Sequence, residues 1–223
     1  MRQVRFSTLI LLPLIAFLLT GSAMADSVVT LKLLGTGGNN GGGVYTYPYN
    51  FSINGGISTP LICDTYDNEV TGGETWKATV SGLLSGNGLF GSSLTNYKAA
   101  GLIFLDILAN NINPNAGNWA IWGLFSPTAQ SEAYFQSSGA AGIMGQYLTA
   151  AAYAPASAFD GLVLYTPVGG TQSCCGLPQE YIGKVSVPEP GELSLLGITL
   201  LLGLAGFAFR KQLGLRVVTQ IQR

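Results

Sequence analysis

Seventeen consecutive residues near the C-terminus, Leu193 to Phe209, carry no charge. As a helix such a run rises roughly 25 Å, slightly less than the ~30 Å hydrocarbon core of a bilayer. Val187-Pro188-Glu189-Pro190 precedes it, and Arg210-Lys211 follows. Basic residues that snorkel at one end let a helix of this length span. They also place that end in the cytoplasm. The two prolines lack backbone N–H donors and oppose helix continuation, so the approach to the run stays extended. The expectation is a 187–211 segment with a transmembrane helix at 193–209 and a cytoplasmic tail at 212–223.

The N-terminus is of a second kind. Arg2 and Arg5 form a positive region, and Phe6 to Leu19 is apolar, interrupted by Pro13. Ala23-Met24-Ala25 makes a small-x-small cleavage site, so residues 1–25 read as a signal peptide and the mature chain starts at Asp26. The proline–acid–proline stop, apolar helix and basic end together resemble the PEP-CTERM sorting signal of Gram-negative bacteria. That resemblance implies export through the Sec translocon and a transient inner-membrane anchor. It also implies processing by an exosortase-type enzyme and release to the cell surface or beyond, in company with exopolysaccharide and biofilm.

Between the two address segments lies a passenger of residues 26–186, enough for one domain with its own core. It holds four lysines and no arginine against nine acids, a net charge of −5. A mildly acidic surface of this kind argues against nucleic acid as a partner. Histidine is absent from the whole chain. That removes Ser-His-Asp and Cys-His catalysis and His-ligated zinc, and three cysteines cannot build a Cys₄ site. No cofactor is implied, and the passenger reads as non-enzymatic.

Branched and aromatic residues predict strands over 28–34, 44–53, 59–63, 74–80, 160–165 and 180–187. Pro48 marks the second as an edge strand or a bulge. Asn54-Gly55-Gly56 predicts a hairpin turn, and the run Gly35 to Gly43 a flexible connection without the Lys-Ser/Thr of a phosphate loop. The middle predicts helices. Leu94, Tyr97, Leu102, Leu105 and Leu108 mark one over 94–109, Trp119, Ile121, Trp122 and Phe125 a second over 115–125, and residues 129–153 a third. Strands, helices, then strands predict an α+β domain, an antiparallel β sandwich or barrel with a helical insertion.

Four constellations carry possible chemistry. Tyr45, Tyr47, Tyr49 and Phe51 lie at period two, so one strand face could stack on sugars or fill a core. Asp64, Asp67 and Glu69 could hold Ca²⁺, form a glycosidase pair or simply solvate a turn. Cys174-Cys175 offers Cys63 a disulfide partner in an oxidising compartment, leaving one thiol free. Redox catalysis lacks the poised thiolate it needs. Cys63 also sits in Leu61-Ile62-Cys63-Asp64, upstream of Asn118-Trp119-Ala120-Ile121-Trp122.

That last pair of segments, over about residues 45 to 125, resembles the thioester domains of bacterial surface adhesins. There a cysteine after a strand joins a glutamine in a Q-x-A-I-W helix, and the bond acylates a target nucleophile. The glutamine position here is Asn118, one methylene shorter, with Gln130 and Gln136 as alternative acyl groups on the next helix. The resemblance implies a covalent adhesin built on Cys63 and Asn118. The residues alone also allow Cys63 as a small buried hydrophobe with Trp119 and Trp122 in the core.

Overall fold

In the computed structural model, which describes residues 27–168 and 176–185, six segments rich in branched and aromatic residues close into an antiparallel barrel. They are Ser27–Thr36 (β1), Tyr49–Ile53 (β4), Ser58–Cys63 (β5), Thr75–Gly82 (β6), Leu162–Pro167 (β7) and Tyr181–Lys184 (β8). Around the barrel they run β1-β4-β5-β8-β7-β6. A separate hairpin pairs Asn40–Gly41 (β2) with Val44–Tyr45 (β3). The α+β expectation holds, with the barrel as the alternative that is realised. The expected signal peptide, the expected sorting segment from Val187 to Lys211 and the Cys174-Cys175 pair lie outside the described residues. Among those described, no helix is long and apolar enough to cross a membrane.

Period-two alternation decides which side chains fill the barrel. Val29, Leu31 and Leu33 of β1 turn inward while Val28, Lys32 and Leu34 face out. In β6, Trp76, Ala78 and Val80 are buried and Lys77 is exposed. Phe51 lies edge-on to both Trp76 (5.6 Å between ring centres) and Tyr181 (4.6 Å). Each such ring pair contributes about 0.5–1.5 kcal/mol beyond its buried area.

All the described α-helices lie between β6 and β7. They are Leu94–Leu108 (α1), Pro114–Phe125 (α2), Pro127–Ser131 (α3), Ala133–Ser137 (α4) and Ala140–Ala151 (α5). The Asn113 side chain caps α2, accepting from the N–H groups of Asn115 (2.9 Å) and Ala116 (3.3 Å), and Pro114 takes the first turn, where no N–H is needed.

Three expectations need correction. The 44–53 strand is broken before Pro48, which cannot donate to a ladder, so β3 and β4 are separate and the tyrosines share no face. The single helix over 129–153 is three short ones, with Gly139 in the left-handed region (φ 84°) before the last. The buried face of α1 is also different. Of the five expected positions only Tyr97 is buried, and Ala99, Ala100, Gly101, Ile103, Phe104 and Ile107 complete that face. Small residues win because the helix lies close against the barrel end. A Cβ on Gly101 would come within 2.6 Å of the Leu83 side chain.

Candidate functional site

Where the end of β5 meets α2, the two residues singled out by the thioester resemblance come together. Asn118 is fully buried. Its Nδ2 donates to the Cys63 carbonyl at 2.9 Å, and its Oδ1 accepts from the Tyr47 backbone N–H at 2.8 Å. One side chain thus ties the end of β5 and the segment entering β4 to α2. Gln130 and Gln136 are committed elsewhere, donating to the carbonyls of Gly123 (2.6 Å) and Gln130 (2.7 Å).

Cys63 is a free, buried thiol. Its Sγ lies 3.2 Å from the Thr65 carbonyl, to which it donates. Burial pushes the thiol well above its ordinary range, and Asp64 pushes it further. The Trp122 indole, its Nε1 buried, acts the other way. A thiol in this setting is a poor nucleophile toward anything in solution. Its candidate disulfide partners, Cys174 and Cys175, lie outside the described residues.

The acidic trio is divided. Asp67 and Glu69 are exposed, whereas Asp64 is fully buried and paired with Glu180, a residue the sequence reading did not single out. Glu180 accepts from Tyr97 Oη (2.6 Å), from the Leu89 N–H (2.9 Å) and from Thr166 Oγ1. Asp64 Oδ1 accepts from Thr65 Oγ1 at 3.1 Å, and no donor among the described residues reaches its Oδ2. Burial first, and Glu180 beside it second, hold the Asp64 carboxyl well above the usual carboxylate range. Among the described residues no three acids or cysteines group to hold a metal ion.

An open cleft of about 690 Å³ lies above this layer, between the β2–β3 hairpin and the loop that follows β5. Tyr45 stands on one wall, Tyr66, Asp67, Asn68 and Glu69 on the other, with Tyr49, Trp122 and Gln179 between. The hairpin is fixed by polar contacts to α2. Trp119 Nε1 donates to Gly41 O (3.0 Å), Asn115 Nδ2 to Asn40 O (3.1 Å) and Thr46 Oγ1 to Asn115 Oδ1 (2.6 Å). Tyr66 is held by rings, 5.2 Å from Trp119 and 5.4 Å from Trp122.

The tyrosine stripe is therefore distributed between surface and core. Tyr45 is 57% exposed and open to the cleft, whereas Tyr49 is buried at its edge with its hydroxyl on the Tyr45 carbonyl. Tyr47 is half-buried edge-on to Phe104 (5.6 Å), and Phe51 is inside the barrel. Tyr66 was not anticipated, because an aromatic ring in an acidic turn has no periodic signal. No lysine or arginine among the described residues lines the cleft. No family model, curated protein or solved structure matches this chain.

Proposed function

We propose that this chain is an exported, non-enzymatic surface or matrix protein, and that its passenger holds uncharged extracellular polysaccharide in the cleft. The observation that carries the reading is the composition of that cleft. Tyr45 and Tyr66 stand on opposite walls with the Asn68 amide beside Tyr66, and no cation among the described residues lines it. Aromatic faces with hydroxyl and amide partners suit a polyhydroxyl chain. The exposed Asp67 carboxylate on the wall disfavours an anionic one. The address segments at 1–25 and 187–211 support export through the Sec translocon, a transient membrane anchor with a cytoplasmic C-terminus and exosortase-type processing. A non-enzymatic role is supported by the absence of histidine and by Asp64, one of the three loop acids, being sealed below the surface.

The test is affinity electrophoresis of the protein through dextran, galactomannan and alginate. Retardation by a neutral polymer and none by alginate is expected. Tyr45→Ala should weaken it by about 1 kcal/mol, on the order of fivefold. Equal mobility in all three gels rejects the cleft as a glycan site. Mass spectrometry of the native surface or secreted form tests the export reading, with Asp26 expected as the first residue and the helix after Pro190 expected to be removed.

A second reading is favoured by one contact, the Asn118 amide against residue 63. In a covalent adhesin the Cys63 sulfur would bond to the Asn118 side-chain carbonyl carbon. The thiol proton and the amide nitrogen would leave as ammonia. An intact mass lower by one ammonia, which methylamine converts to the N-methylamide and a free thiol with the gain of one methylamine, identifies that state.

A further inference from the structure

The pairing of β5 with β8 is short, only Ile62 with Ile182 and Cys63 with Tyr181. Side chains continue the seam beyond it. The Asp64 N–H donates to Glu180 O (3.3 Å), and the Glu180 N–H donates to Thr65 Oγ1 (3.1 Å), which itself donates to Asp64 Oδ1. Gln179 Nε2 donates to the carbonyls of Thr65 (3.0 Å) and Asn68 (2.6 Å). At the centre of this zip two buried carboxyl groups lie within hydrogen-bonding reach of each other. Two bare carboxylates have no proton to place between them, and burying both charges without a cation is costly.

No cation among the described residues is at hand. Lys77 donates to Thr30, Lys98 to the Ala154 carbonyl, and Lys32 and Lys184 are exposed. The titratable groups facing the pair are Cys63 on β5, Tyr97 on α1 and Tyr181 on β8, with Tyr49 of β4 behind Cys63 and Tyr181. Burial raises all four above their ordinary values, so they stay neutral. Thr166 is what β7 offers, and it donates to Glu180. The acceptor of the pair is identified by its donors. Among the described residues Glu180 receives three, Asp64 only the Thr65 hydroxyl on Oδ1, and Asp64 Oδ2 none.

We propose that Asp64 and Glu180 share one proton, carried on Asp64 Oδ2 and donated to Glu180, and that this proton latches the seam between β5 and β8. It satisfies the one oxygen that nothing else reaches and leaves a single charge on the pair. As pH rises the proton leaves, the two carboxylates repel with no cation between them, and the segments at 64–68 and 178–180 part. Those segments carry Tyr66, Asp67, Asn68 and Gln179, so the wall of the cleft loosens with the latch. The latch requires no ligand and stands whether or not the cleft binds a glycan.

The direction of the pH effect follows from where the proton is bound. The folded chain keeps a proton that the unfolded chain loses above about pH 4. Stability from this group is full below that point and declines as pH climbs to the raised folded value. Up to that value the unfolding constant rises by at most about tenfold per pH unit.

The experiment is infrared spectroscopy of the full chain in detergent, together with urea unfolding across pH. A protonated-carboxyl C=O band at neutral pH is expected. Asp64→Asn keeps a donor toward Glu180, so it should lose the band and flatten the decline of the urea midpoint with rising pH. A wild-type spectrum without the band overturns the latch, as does an equally steep decline in Asp64→Asn. Should Asp64→Asn fail to fold, the wild-type spectrum decides alone.

Discussion

Asn118 holds Cys63 by its backbone and leaves the sulfur to another partner: the amide nitrogen is 2.9 Å from the Cys63 carbonyl oxygen, while the thiol donates to Thr65. The amide is also the bridge to Tyr47. Asn118→Ala would leave a buried carbonyl and a buried N–H unpaired. At about 1–3 kcal/mol for each orphaned group, the loss should be about 3 kcal/mol overall. Urea unfolding checks this as a lower midpoint with an unchanged slope.

Tyr97 serves two partners from one hydroxyl, donating to Glu180 and accepting from the Phe90 N–H at 3.1 Å. Tyr97→Phe removes both bonds and keeps the ring. A loss of about 2 kcal/mol is expected, in the range for bonds to acidic groups. The thermal midpoint should fall by several degrees, and a shift smaller than one degree would contradict the bonding described.

Cys63 should be silent to water-soluble thiol reagents in the native state. Burial both hides the sulfur and holds it as a thiol. In a Cys174→Ser/Cys175→Ser background, labelling should proceed at the rate of unfolding, not at the rate of an exposed cysteine. Rapid native labelling would show that the end of β5 opens locally.

Gly42 turns the β2–β3 hairpin in the left-handed region (φ 68°), and a Cβ there would come within 2.7 Å of Tyr134 Cβ. Gly42→Ala therefore incurs backbone strain of about 1 kcal/mol and a contact that Tyr134 must yield to. The hairpin should lift from Trp119, seen as a red shift in tryptophan emission. Polysaccharide retardation should fall with it, because Tyr45 rides on the same hairpin.

Strands were legible where side chains alternate, as in β1 and β6, because period two survives any tertiary context. The helical insertion was legible from composition. The face of α1 was not, because large leucines dominated the periodic signal while packing selected Ala100 and Gly101 for close approach. At the site, the Cys63 and Asn118 segments could be found by motif. Glu180 could not, since an acid at the start of a strand reads as solvated until the barrel closes it against Asp64. Tyr66 was hidden for a similar reason, being an isolated ring whose neighbours come from α2.

The ends of the helical region meet. Leu83 N–H donates to Leu162 O at 3.0 Å, directly beyond the rung pairing Gly82 with Val163. The excursion from 84 to 161 thus leaves and returns through adjacent staves, and a tight turn there would preserve the stave order. The cylinder is a chassis and the helices a cassette, so the cassette could be exchanged without rewiring the frame.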